Sequence, residues 1–352
     1  MKMYDLRLIV NVVRARLARD FYKLNFMITS RCNSRCKTCN IWQNDGSVID
    51  KDLTLEEIET SFKRLPKSVC WISFTGGEPY LRDDLIDIFQ AAVDNIPRLS
   101  LIGMPSNGLM TERIVPTVKK LRKFTSTKII IGFSLDGPPE VHDKIRGVPG
   151  GFKRTWKTYQ ECVKIARRSK NLEVMIETTL SPFNINHAYF FLRRLLSRGH
   201  KVTLTISHAG FLYRGVGKDI VLSEDHLAEI DRIARLYLDY IPLLSPAGLI
   251  ERKYIKNINT YLKNPKKQVI PCKAASCSFA LLSDGSVTPC FMWGVHLGNL
   301  REVNYDILRL ASSKKTSRCR ALIKKGQCPV CWTPCEAYQS IISSVLRGRI
   351  FP

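Results

Sequence analysis

The chain has 352 residues, 45% of them hydrophobic, enough to bury one large α/β core with a smaller module appended. No apolar run reaches the roughly 18 residues of a membrane span, and the opening MKMYDLRLIVNVVRAR meets Arg14 before a secretory core could form, so neither export nor a membrane span is expected and the default expectation is a cytoplasmic protein. The net charge of +24 is scattered, as at Lys119-Lys120 and Lys266-Lys267, which predicts a solvated basic surface, disfavours nucleic acid as a partner and leaves an anionic substrate, a membrane surface or an acidic protein open.

Residues 1–22 form a basic amphipathic segment in which Leu6, Ile9, Val10, Val13, Leu17 and Phe21 share a helical stripe beside Arg7, Arg14 and Arg16. The expected role is a helix docked on the fold through that stripe, with peripheral membrane contact as the alternative. From 23 to 210 short β-rich runs alternate with helical stretches: LNFMIT and helix 54–64, WISFT and helix 84–93, LSLIGMPS and helix 112–123. KIIIGFSLD and helix 152–168 follow, then LEVMIETTL and helix 187–198, and finally KVTLTIS. The rhythm suits a partial, TIM-like (β/α)6 barrel or a doubly wound sheet, and both gather functional groups at the C-terminal ends of strands. Residues 211–268 read as a helical connector, 269–340 as a small cysteine-rich C-terminal domain and 341–352 as a tail.

Twelve cysteines without an export signal point to thiols, so clustered ones suggest metal or redox chemistry. Cys32, Cys36 and Cys39 lie in the loop leaving the first strand, where three thiolates can hold three irons of a cubane and leave the fourth iron open. A zinc site completed elsewhere is the alternative. Further motifs end successive strands: Gly76-Gly77-Glu78-Pro79, Ser106-Asn107-Gly108, Ser134-Leu135-Asp136-Gly137, then His142 to Gly147. Each alone is also a competent turn.

Together these segments resemble the radical S-adenosylmethionine (SAM) superfamily over nearly the whole chain. The resemblance implies a [4Fe-4S] cluster on Cys32, Cys36 and Cys39 whose open iron is chelated by SAM. Gly76, Gly77, Glu78 and Pro79 would then meet the methionine ammonium, Ser106, Asn107 and Ser134 would contact the ligand, and Arg146 would take its carboxylate. The implied reaction is reductive cleavage of SAM to a 5′-deoxyadenosyl radical that abstracts hydrogen from a substrate. Thr38 stands where the superfamily commonly has an aromatic residue near the adenine, and Trp42 is the residue that could compensate. Glu177, Thr178 and His208, near the ends of the fifth and sixth strands, are candidates to face the substrate, with Glu177 and His208 the catalytic choices.

The tail carries Cys272, Cys277, Cys290, Cys319, Cys328, Cys331 and Cys335, with a hairpin expected around Asp284-Gly285. Its spacing resembles the SPASM and Twitch extensions, which implies one auxiliary [4Fe-4S] cluster on Cys272, Cys290 and two or more of Cys328, Cys331 and Cys335. A zinc ribbon is the alternative, Cys277 is a further candidate ligand, and Cys70, Cys162 and Cys319 are expected bystanders. The expected partners are an electron donor such as flavodoxin or ferredoxin and a peptide or small-molecule substrate, acting on a monomer. The rival is a non-catalytic, metal-stabilised nucleic-acid-binding protein.

Overall fold

A computed structural model of the chain describes residues 3–43, 51–211 and 220–346; residues 347–352 of the expected tail lie outside these. The strands are β1 (Lys23–Thr29), β2 (Trp71–Gly76), β3 (Leu101–Ser106), β4 (Lys128–Ser134), β5 (Leu172–Leu180), β6 (Val202–Ile206), β7 (Ser278–Leu281), β8 (Ser286–Thr288) and β9 (Gly298–Asn299). The helices are α1 (Met3–Leu17), α2 (Leu55–Lys63), α3 (Leu85–Asn95), α4 (Thr111–Leu121), α5 (Pro139–Arg146), α6 (Gly151–Ala166) and α7 (Ile185–Ser197). They continue as α8 (Leu227–Tyr240), α9 (Pro246–Lys256), α10 (Ile258–Lys263), α11 (Ile307–Ala311), α12 (Lys314–Lys324) and α13 (Pro334–Val345). Within the barrel, helix α5 is the element the sequence left unassigned, as were α11, α12 and α13 in the tail: Pro139 opens α5 and Gly147, at φ 64°, closes it.

Among the described residues the strands form one sheet in the order β6-β5-β4-β3-β2-β1-β7-β8-β9, parallel from β6 through β7. The order β1 to β6 never reverses, so right-handed crossovers place every connecting helix on one face and leave the other as a lumen. That decides for the partial barrel over the doubly wound sheet. On the helical face Phe26, Phe62, Phe74 and Phe89 pack ring against ring, with centroids 5.1 to 6.4 Å apart.

The cysteine-rich region continues the same sheet. Its expected hairpin is present as β7 and β8, and β7 pairs in parallel with β1, Lys23 opposite Ser278. Helix α13 then lies against the open side: Lys23 Nζ donates to Cys335 O (3.0 Å), Asn25 Nδ2 to Glu336 Oε1 (3.3 Å), and Ser278 Oγ to Glu336 Oε2 (2.6 Å).

Helix α1 docks on the barrel as expected, but through another face. Asn11, Val12 and Ala15 are buried, while Leu6, Val10 and Leu17 of the expected contact stripe are exposed. Polar ties explain the rotation. Tyr4 Oη donates to Thr125 O (2.7 Å), Asn11 Nδ2 to Ser100 Oγ (3.0 Å), and Lys128 Nζ to Asp5 Oδ1 (2.9 Å).

Truncating the central ring tests this core. Phe74→Ala should cost about 3–5 kcal/mol, read as a lowered urea midpoint; an unchanged midpoint would contradict the packing.

Candidate active site

The loop bearing Cys32, Cys36 and Cys39 leaves the C-terminal end of β1 and is gripped from two sides. On one side Gly77 N–H donates to Thr29 O (2.9 Å) and Glu78 N–H to Arg31 O (2.7 Å). A Cβ on Gly77 would stand 1.9 Å from Arg31 O, so only glycine permits this approach. On the other side the C-terminal carbonyls of α5 take the loop's amides, Arg35 N–H on Arg146 O (2.9 Å) and Lys37 N–H on Ile145 O (2.8 Å). A Cβ on Gly147 would meet Arg35 O at 2.5 Å.

Side chains complete the grip. Buried Glu78 accepts Ser106 Oγ–H at Oε1 (2.9 Å) and Asn107 N–H at Oε2 (2.7 Å). Asn107 Nδ2 donates to Asn33 Oδ1 (2.7 Å) and Ser34 Oγ (3.0 Å), tying the end of β3 to the cysteine loop. The glycine pair, Glu78, Ser106 and Asn107 therefore hold the loop, with the Glu78 carboxylate anchored by these donors at the strand ends. Pro79 begins the one-turn helix that the Glu78 side chain caps at Tyr80 N–H.

Arg146 faces the cluster loop. Its Nε donates to Asp136 Oδ2 (2.6 Å) and its Nη1 lies 3.8 Å from Cys36 Sγ. Asp136 also accepts Thr179 N–H at Oδ1 (3.1 Å). A guanidinium against the thiol suits a site for anionic thiolate-bound metal. Burial pushes the Cys32 thiol up to about 12 and the Cys39 thiol to about 11, so both are protonated without a cation to displace the proton. Trp42 Nε1 donates to Cys36 O (3.4 Å), so its N–H braces the loop.

Ser134 and Glu177 stand opposite each other in the β4–β5 register. Glu177 lies over Gly132, where a Cβ would fall 2.0 Å from its Oε1. Burial raises its pKa to about 7, against the pull of Arg146. Thr178 points the other way, buried, with Oγ1 donating to Leu135 O (2.8 Å). His208 is a correction to the expected catalytic pair: Nδ1 bonds Ile206 O (2.8 Å) and Nε2 accepts Trp332 N–H (3.0 Å). With both nitrogens bonded to backbone, it ties β6 to the late cysteine loop.

In the tail, Cys272, Cys290, Cys328 and Cys331 line one cavity with Val269, Ile270, Trp293 and Trp332. Gln268, which sequence reasoning passed over, spans it: its Oε1 accepts Cys272 N–H (3.1 Å) and its Nε2 lies 3.8 Å from Cys328 Sγ. Cys335 is not among the lining residues. Cys277 is buried against Ser343 in the α1 cluster, and Cys70, Cys162 and Cys319 are core. Among the described residues no three Cys, His, Asp or Glu side chains converge tightly enough for a single ion. A cubane, in which each thiolate takes its own iron, needs no such convergence.

Residues 26–195 match the family model "Radical SAM superfamily". A probable GTP 3′,8-cyclase of Archaeoglobus fulgidus is 30% identical over 178 residues, 50% of this chain and 51% of that protein. Molybdenum cofactor biosynthesis protein 1 of Homo sapiens is 34% identical over 106 residues, 29% of this chain and 16% of that one. The chain thus spans about half or less of the curated relatives it matches. Among solved structures, native anSMEcpe with bound AdoMet and Kp18Cys peptide aligns at TM-score 0.63 and 17% identity, over 86% of this chain and 83% of that one. Streptococcus suis SuiB bound to S-adenosylmethionine aligns at 0.62 and 15%, over 89% and 71%. Both share the fold.

Two outcomes test the site. Asn107→Ala should raise amide exchange across residues 32–39, seen by mass spectrometry, with the β4–β5 core unchanged. Glu177 holds its proton longer in the folded than the unfolded chain, so its contribution is present below about pH 4.5 and lost as pH rises through about 7. Glu177→Gln should flatten the decline in stability across that window; an unaltered slope would contradict a buried Glu177.

Proposed function

From the premise that this chain carries a radical SAM domain over residues 26–195, we propose that it is a radical SAM enzyme with one auxiliary cluster. The observation that carries this is the grip on residues 31–39, which presents three cysteines of one loop beside Arg146 at the mouth of a parallel barrel. The donor sets fit the groups: Cys32, Cys36 and Cys39 would hold the SAM-binding [4Fe-4S] cluster. Cys272, Cys290, Cys328 and Cys331 would hold the auxiliary one, with Cys335 outside it. When bound, cluster and SAM together supply a 5′-deoxyadenosyl radical that abstracts hydrogen from an unactivated carbon.

The chain's own residues do the rest. Arg146, with Asp136 fixing its Nε, offers a cation to the SAM carboxylate. Ser134 offers a hydroxyl on the lumen side of β4. Glu177, opposite Ser134 and able to hold a proton on Oε near neutral pH, is the group placed to bind or proton-exchange with a substrate in the lumen. That substrate is a peptide or small molecule entering at the C-terminal ends of the strands, and the electron comes from a flavodoxin- or ferredoxin-type donor. Peptide is supported by the chain-long fold likeness to two peptide-bound structures, anSMEcpe with Kp18Cys and SuiB with precursor peptide SuiA.

Anaerobic reconstitution with iron and sulfide, followed by dithionite and SAM, should give 5′-deoxyadenosine, and Cys36→Ala should abolish it. No product from a chain with full iron content would contradict the proposal. Cys331→Ala should lower iron by about one cubane while SAM cleavage remains detectable; Cys335→Ala should leave the iron unchanged.

A further inference from the structure

The outward face of α1 has no work in the barrel. Met3, Leu6, Val10 and Leu17 are 74%, 49%, 38% and 79% exposed, at a spacing that places them along one side of the helix. Beside them a groove of about 370 Å³ is lined by Met3, Leu6, Val10 and the guanidinium-bearing side chains Arg7, Arg14 and Arg98. Arg16 and Arg19 follow on the same helix and the turn after it. The acidic residue of the helix, Asp5, is committed to Lys128 (2.9 Å). Elsewhere, Ile342 of α13 packs into the buried α1 cluster, and one turn on, Val345 and Leu346 are 59% and 45% exposed.

We propose that this face is a peripheral membrane-binding surface, with α1 lying on an anionic phospholipid bilayer, its apolar strip in the headgroup boundary and its arginines on lipid phosphates. The choice of occupant rests on charge: an apolar strip rimmed by arginines on a chain of net charge +24 complements a surface both greasy and negative. Attachment is to the surface, since among the described residues no helix is long and apolar enough to cross a membrane. Helix α1 is bonded to Arg98, Ser100, Thr125 and Ser126, all at the N-terminal edge of the sheet, whereas the cysteine loop leaves its C-terminal edge. The barrel would therefore bind lipid by its floor with its mouth facing away, and lipid binding is independent of the radical chemistry.

The test is co-sedimentation of the full chain with vesicles of phosphatidylcholine alone and with about one-third phosphatidylserine, at about 0.1 M and about 0.5 M salt. Binding should require phosphatidylserine and weaken at the higher salt. Leu6→Glu with Val10→Glu should weaken it at least tenfold, and Arg14→Ser roughly fivefold, the worth of one basic residue near the surface. Thermal unfolding of both variants should match the parent, because the replaced side chains are exposed. No binding, equal binding to neutral vesicles, or full binding by the variants would overturn the proposal. So would a dimer in sedimentation velocity that Leu6→Glu disperses, which would make the strip an interface between copies.

Discussion

Everything at the mouth of this barrel depends on backbone lying against backbone. The turn after β2 and the end of α5 both touch the main chain of residues 31–35 at distances that exclude a Cβ, and four amide hydrogen bonds lock the contact. A loop fixed mainly by its own carbonyls and amides, with Asn33 and Ser34 the side chains drawn into the grip, does not spend its cysteines on these bonds. That is what the proposed cluster would require of three thiols, each reaching a different metal atom while none is spent on holding the loop.

The second layer is electrostatic. Glu78 and Asp136 are both almost fully buried, and each is satisfied by several donors: Ser106, Asn107 and Tyr80 on the first, Arg146 and Thr179 on the second. Removing one member of a buried pair such as Asp136–Arg146 costs about 3–5 kcal/mol, because the other charge is left uncompensated. Both acids are thus held by protein donors, and Glu177 stands apart from them: a lumen carboxyl with no protein hydrogen bond described for it. Its carboxyl lies over Gly132, in the space a larger residue there would fill.

Much of this is legible in the sequence because the relevant signals are local. Strand and helix alternation sets the layers, and motifs at strand ends fall where the barrel opens. What the sequence obscures are contacts over long separations. Glycines 76 and 77 read as making room for a ligand, and the sequence does not show that they also make room for the backbone of Thr29 and Arg31 respectively. Glu78 reads as a ligand acceptor and is bonded to Ser106 and Asn107. His208 reads as catalytic because it is a polar residue at a strand end, but Trp332, 124 residues on, occupies its second nitrogen. Helix α1 shows the same limit: periodicity finds the apolar stripe but not the Asn11 and Asp5 ties that turn it outward. In the tail, spacing gives a choice among three late cysteines, and it is packing that brings Cys328 and Cys331 to the cavity lined by Cys272 and Cys290.

The central claim is that the gripped loop leaves one metal atom free for SAM while the tail cluster is closed by four cysteines. Electron paramagnetic resonance of the reduced, reconstituted chain, recorded before and after SAM, tests it most directly. The account predicts two overlapping signals of which one shifts with SAM, and in Cys331→Ala the shifting signal alone. A spectrum indifferent to SAM, or a response that survives Cys36→Ala, would contradict it.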